Sequence, residues 1–439
     1  MNSVLLTYLF LIILFGVCLT PFLIALKRKK FDIFEIIYWA SAYFLLIFFF
    51  RSLYLFSFGS PFLGQPPFSK ELIIAWNISL IYLIVTFIIF LVSYYSKIGI
   101  AIANTLPKLP KEWSVTKTKV LLPIFLIIAA ISYIILIKYL GGFSYYLAHK
   151  QATLTAGGTT YLSFGTYFLV YSFIISLICV FKYKKLKKLT FLFLLPLVLI
   201  TGFFSGAKGV FLSPILMGVI VFHYFKKSIK LKHIILFFLL VILIIPIFNA
   251  YRHAENLSQL SGAFIDYSRP KNLIPSFISR FHMMDSMIYI IRDTPEVMDY
   301  RLGGTITPLF VSWIPRQIWS EKPIISFGKV FAETYYKEVF AGTGIAASST
   351  IIGEGYINFH IAGILWVAFL AGIILRFFYQ YLIKNNFGTS GVFIYSSLFL
   401  FFFCFWESNI TGLIARATPP LIILIIISLL LSKRTIKSK

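Results

Sequence analysis

The stretch VLLTYLFLIILFGVCLTPFLIAL, residues 4–26, followed by Lys27-Arg28-Lys29-Lys30, decides the kind of fold this chain adopts. As a helix, such an uncharged run reaches about 35 Å, enough to cross the roughly 30 Å of hydrocarbon in a bilayer. The basic cluster then stops the chain at one membrane face. No basic region precedes the block, and it is too long for the apolar core of a secretory leader, so it reads as a retained span.

Ten further blocks repeat the pattern, at about 34–56, 72–95, 119–140, 160–181, 189–205, 208–225, 232–251, 356–380, 388–406 and 411–432. The short pair 189–205 and 208–225 also has the look of a broken or re-entrant hairpin. The 439 residues are 59% apolar and 13% charged, against about 45–50% and about 25% in soluble chains. A secreted domain, a cytosolic enzyme and a disordered tail are thereby excluded. The expected fold is an all-α polytopic integral membrane protein of about eleven transmembrane helices with one large extracytoplasmic loop. It divides into an N-terminal bundle (1–250, about eight spans), a loop with amphipathic helices (251–355), and a C-terminal bundle of about three spans with a basic tail (356–439). Cys18, Cys179 and Cys404 each stand singly in an apolar block, as small core residues do.

The net charge of +25 would ordinarily suggest nucleic acid. Here, 23 of the 40 Lys and Arg fall in alternate loops and the tail, from Lys27 to Lys439, with only Asp32, Glu35 and Glu112 among them. Positive loops mark the cytoplasmic side. The N-terminus is therefore expected outside, the C-terminus inside and residues 251–355 outside, with no nucleic-acid partner. Most of the basicity is membrane orientation.

The long external loop balances ten basic against ten acidic residues, but six of the chain's eleven Arg lie there: Arg252, Arg269, Arg280, Arg292, Arg301 and Arg316. Arg51 and Arg416, near the outer ends of their spans, raise the outer set to eight. Lysine suffices for topology, whereas the planar guanidinium fork binds phosphate bidentately. An outer vestibule of this kind suits a phosphate or diphosphate ligand; Arg–carboxylate pairs within the loop are the structural alternative. From Leu273 to Arg292, Ser279, His282, Asp285, Ser286 and Tyr289 share one helical face and Leu273, Phe277, Met284, Met287 and Ile291 the other. That predicts a helix on the membrane surface. Arg280 falls within its apolar stripe, and so snorkels, enters a polar cavity, or is solvated at a bend. Glu407 and Asn409 are the expected partners of Arg416. Lys208, in Ser205-Gly206-Ala207-Lys208-Gly209, stands either at an anion-binding glycine turn or at a plain helix connection.

Two short patterns are more specific. Trp313-Ile314-Pro315-Arg316-Gln317-Ile318-Trp319-Ser320-Glu321-Lys322-Pro323 sets rigid apolar faces beside fixed positive charge, as sugar stacking next to a phosphate requires. Gly353-Glu354-Gly355-Tyr356-Ile357-Asn358-Phe359-His360 carries the loop carboxylate nearest the outer end of a span.

With these motifs, and with Ser279-Arg280-Phe281 followed by Asp285, the chain resembles the O-antigen polymerase family, the Wzy-type oligosaccharide repeat-unit polymerases. Many members carry Pro-Arg-x-x-Trp-x-x-Lys-Pro before a Gly-Glu-x-Tyr-x-Asn-Phe-Gly-like segment. The chain departs from the family at His360, where Gly is expected, and at Lys208, where many relatives have Arg. The resemblance implies a GT-C-like fold in the cytoplasmic membrane. It also implies a glycosyltransferase that joins polyprenyl-diphosphate-linked oligosaccharides at the outer face and releases polyprenyl diphosphate, with no cofactor and no metal. A flippase and a chain-length regulator are implied partners. Arg280, Arg316, Lys322 and Arg416 are expected on the diphosphate. Trp313, Trp319, Tyr356 and Asn358 are expected on the sugars. Glu354 is the first candidate for general base, followed by His282 and Asp285. A ligase that moves the finished glycan to another acceptor would share this recognition. A transporter of the lipid-linked glycan would instead place charge near mid-membrane in two related halves; neither feature is seen.

Overall fold

The computed structural model describes residues 3–28, 31–58, 69–148, 159–185, 188–253, 257–269, 272, 277, 281–311, 314, 318–319, 321, 327–335 and 347–433. These residues are overwhelmingly helical and form no strand; one isolated bridge joins Trp113 and Ser432. Nine of the described helices are long and apolar enough to cross a membrane: Ser3–Arg28, Ile36–Ser57, Lys70–Tyr95, Val115–Tyr139, Ser163–Tyr183, Lys208–Phe225, Leu231–Tyr251, Ile351–Asn385 and Ile410–Leu430. Two shorter apolar helices, Leu192–Phe204 and Thr389–Phe403, occupy the two remaining expected blocks. Large apolar side chains such as Ile12, Leu23, Val92, Val120 and Phe193 stand exposed along them. Water would not tolerate so much uncovered apolar surface, whereas lipid covers it and leaves each helix to satisfy its own backbone. The chain is a multi-pass, all-α membrane protein.

The helices gather into two compact units, each assembled from separate pieces of chain. The first comprises residues 1–106, 278–380 and 401–417. Trp76, Trp406, Phe44, Phe48 and Phe87 fill its interior, with Phe44 and Phe90 set edge-on to the Trp406 indole at 5.1 and 4.9 Å. Near the basic cluster after the first span, Arg376 pairs with Glu35 (3.1 Å) and the Tyr379 hydroxyl donates to Asp32 (2.7 Å). Two of the three acids counted on the basic side thus tie helices together. The second span is interrupted: Leu45–Phe50 winds as a π-turn before helix Arg51–Phe58 resumes. Such bulges recur at functional positions.

The second unit comprises 107–277, 381–400 and 418–439. Its helices Lys188–Phe204 and Lys208–Phe225 are joined by a turn at Gly206. Its polar ties include Trp113 Nε1 donating to Ser390 Oγ (2.9 Å), Lys182 Nζ to Thr389 Oγ1 (2.8 Å), and Lys208 Nζ to Asn249 Oδ1 (2.8 Å). Lys208 is thus engaged by a neutral amide.

One expectation is corrected here. The helix described within 273–292 is Met283–Asp293, and it does not lie on a surface with a wet polar face. Met284, Asp285, Ser286, Met287 and Tyr289 are all buried. Its polar face is matched by protein groups instead of water, with Ser286 Oγ donating to the Ser348 carbonyl (2.6 Å). Periodicity defines two faces of a helix but not what covers the polar one.

Candidate functional site

The segment Ile351–Asn385 is long enough for a single span, yet its backbone leaves the helical region at Phe359 (φ −142°, ψ 28°) and His360 (φ 52°, ψ −140°). Residues eight apart in a straight helix lie about 12 Å apart along its axis. Here Gly355 and Gly363 meet: a Cβ on Gly355 would stand 2.8 Å from the Gly363 carbonyl oxygen. The chain therefore doubles back, and this close approach admits only glycine. Residues 351–358 form a separate half-helix, every residue of it buried. Thr350 caps it, accepting from the Gly353 N–H (2.9 Å).

The half-helix presents Glu354 and Asn358, one turn apart on one face. Glu354 is fully buried. Its Oε1 accepts from the Thr305 hydroxyl (2.7 Å) and its Oε2 from the Ile410 N–H, the first amide of helix Ile410–Leu430. Burying a carboxylate without donors would be costly; a hydroxyl and the positive end of a helix dipole supply them here. Asn358 Nδ2 donates to Thr305 Oγ1 (2.7 Å) and to the Glu354 carbonyl (2.8 Å). Its Oδ1 accepts from the Gly303 N–H (2.9 Å), at a turn whose φ of +90° suits glycine. Two more bonds close the arrangement: Arg301 N–H to the Ile357 carbonyl (2.8 Å), and Thr411 Oγ1 to the Thr305 carbonyl (2.7 Å). Three pieces of chain distant in sequence thus converge on one carboxylate.

Two exposed arginines lie on the elements that build the site. Arg301 is exposed at the start of the turn. Arg416 is exposed on the last helix; its Nε donates to the Gly412 carbonyl (2.9 Å), and its NH2 lies 3.2 Å from where a Gly412 Cβ would sit. The guanidinium therefore lies against the helical turn whose first N–H holds Glu354. A guanidinium beside a helix N-terminus favours an anionic ligand. The sequence pattern of the family described as O-antigen polysaccharide polymerase Wzy matches residues 1–439, the whole chain. The chain belongs to this Wzy family. It is accordingly a membrane-embedded polysaccharide polymerase, a glycosyltransferase-type enzyme. No curated protein and no solved structure matches it.

Of the residues singled out in this Wzy chain, Glu354, Tyr356 and Asn358 share the half-helix, and Arg416 rides on the helix that Glu354 caps. Asp285 is engaged by a different partner. Its oxygens accept from Arg51 Nε (3.0 Å) and NH2 (2.7 Å) in a buried bidentate pair. His282 is half-buried at the head of helix Met283–Asp293, and Trp319 is partly exposed. Arg280, Trp313, Arg316 and Lys322 lie outside the described residues. Glu407 accepts from the Tyr43 hydroxyl, and Asn409 caps the last helix by accepting from the Gly412 N–H (2.6 Å). A further strut joins Arg292 to Asp293 (2.5 and 2.9 Å), with the Tyr335 hydroxyl also donating to Asp293 (2.6 Å). Burial pushes the neighbouring Tyr289 hydroxyl up to about 12, so it stays protonated.

Thr305 is the residue of this arrangement that sequence reasoning missed. Its only trace is the run Arg301-Leu302-Gly303-Gly304-Thr305, a glycine turn between a cation and a hydroxyl. Arg301 is one of the eight outer arginines, and its sequence context alone gives it no role.

Proposed function

We propose that this polymerase joins polyprenyl-diphosphate-linked oligosaccharide repeat units at the outer face of the cytoplasmic membrane, without a metal. A hydroxyl oxygen of the acceptor repeat unit attacks the anomeric carbon of the donor glycan. The new C–O bond forms as the bond to the diphosphate breaks, and polyprenyl diphosphate departs with the electron pair. Arg416, assisted by Arg280, Arg316 and Lys322 of the long loop, neutralises the leaving diphosphate. Glu354 takes the hydroxyl's proton, which it can do when the acceptor hydroxyl displaces Thr305 from Oε1.

The observation that carries this reading is the convergence of a carboxylate, a helix N-terminus and exposed Arg416 on one turn. The outer location rests on the phase of the Lys-rich loops. A flippase delivering the substrate and a chain-length regulator fit the same scheme.

The test is reconstitution. Purified protein given lipid-diphosphate-linked repeat units, with chelator and no nucleotide, should form a ladder of longer lipid-linked glycans and release one polyprenyl diphosphate per bond. R416A should slow ladder formation by about tenfold or more. Transfer that stops at one length, or a strict metal requirement, would overturn the scheme.

A further inference from the structure

The reversal at Phe359–His360 raises a question that the Glu354 arrangement does not answer. With φ 52° and ψ −140°, His360 occupies backbone territory that side-chain-bearing residues avoid and glycine enters freely. The turn itself gains nothing from an imidazole. Strain of this kind persists where the side chain has a task.

The ring's surroundings indicate the task. The imidazole is exposed. It lies 4.9 Å from the Tyr356 ring at 39°, and edge-on to Tyr300 at 5.6 Å and 76°. Tyr356, itself buried, is backed by Tyr82 at 5.9 Å and meets Tyr300 at 6.2 Å. His360 and half-buried Tyr300 are thus the open edge of a four-ring floor whose inner part is fixed. That floor is tied directly to the Glu354 network. Tyr300 precedes Arg301, whose N–H bonds the Ile357 carbonyl, and Tyr356 and Asn358 lie on the half-helix itself.

We infer that His360 and Tyr300 form a pyranose-binding platform that holds the glycan of the repeat unit beside the Glu354–Thr305 pair, and that His360 is a specificity-determining residue of this chain. Ring faces cover the apolar C–H face of a sugar, while hydroxyl and imidazole N–H groups at the ring edges meet its hydroxyls. A hydrocarbon ligand would have no use for polar edges, and a phosphate is better met by the neighbouring arginines. The inference rests on reading the Glu354 arrangement as the polymerisation site.

The experiment compares wild type, H360G and Y300A, using repeat units accumulated by the source cells when the gene is deleted. Half are kept lipid-linked, and half are cleaved to the free oligosaccharide. H360G relieves the backbone, so its thermal unfolding midpoint should equal or exceed that of wild type. Its KM for the lipid-linked unit should rise roughly three- to tenfold, and its affinity for the free oligosaccharide, read by calorimetry, should fall by a similar factor. Y300A should show the same loss, and Y300F much less. Wild-type binding of the free oligosaccharide by H360G and Y300A would overturn the platform even if the ladder forms normally. If wild type makes no ladder, the polymerisation scheme fails, and the binding comparison still decides the platform. Loss of lipid-linked but not free-glycan binding would point to a lipid contact and also overturn it.

Discussion

Two buried carboxylates in the same unit are held in opposite ways. Asp285 lies in the fork of a guanidinium, both oxygens matched by Arg51 at 3.0 and 2.7 Å. Glu354 is buried at least as deeply but is held by a hydroxyl and a backbone amide. A bidentate ion pair is a strut: its charge is spent, its geometry is fixed, and separating the partners strands a charge in a low-dielectric interior. A carboxylate held by neutral donors can trade one of them for another hydroxyl. The first arrangement positions helix Met283–Asp293 against the helix carrying Arg51; the second leaves a group able to receive a proton. Burial alone therefore does not separate the two carboxylates. The nature of the partner does, and on that ground the proposed scheme takes Glu354 as its base.

The sharpest way to break the comparison is to remove charge without removing shape. E354Q keeps an acceptor for the Ile410 N–H and a polar group toward Thr305, so the thermal midpoint should stay within a few degrees of wild type. Turnover should drop about 10²- to 10⁴-fold, the usual worth of a positioned base. A variant retaining more than a tenth of wild-type turnover would make Glu354 a helix cap and nothing more. Next in size is the strut. R51A leaves Asp285 buried and unpaired and should cost about 3–5 kcal/mol of stability, seen as a large fall in the detergent unfolding midpoint. R51M/D285L should recover most of that loss. If R51A proved stable but inactive, Asp285 would belong with the chemistry and the distinction between the two carboxylates would collapse.

The same contrast explains how much could be read from the chain alone. The spans were legible because a membrane demands about 20 consecutive apolar residues, a one-dimensional signal; the blocks from 4–26 to 411–432 return as helices with ends shifted by a few residues. Glu354 and Arg416 were legible as charges at span ends. The doubling back at 359–360 was not, because the Gly355–Gly363 contact depends on a backbone reversal that His360 disguises. Nor was the Arg51–Asp285 pair, since its members lie 234 residues apart and each carries its own local explanation. The surface helix expected over 273–292 is not met where helix Met283–Asp293 is described: its polar face meets buried protein groups, which periodicity does not record.

The smallest expected effect probes the hydroxyl between the two roles. Thr305 donates to Glu354 Oε1 and accepts from Asn358 Nδ2. T305V preserves shape, removes the donor and leaves two buried polar groups short of a partner, which should cost about 1–3 kcal/mol. T305S should restore stability, because its hydroxyl can occupy the same place. Activity separates the readings further. If the acceptor sugar displaces Thr305 during turnover, T305V loses stability in the resting enzyme but its turnover falls far less than that of E354Q, since the substrate itself refills the vacated position. If Thr305 must remain bonded to Glu354 throughout the reaction, T305V and E354Q lose turnover alike, and Glu354 acts by holding the half-helix to the last helix, which would return it to the same class as Asp285.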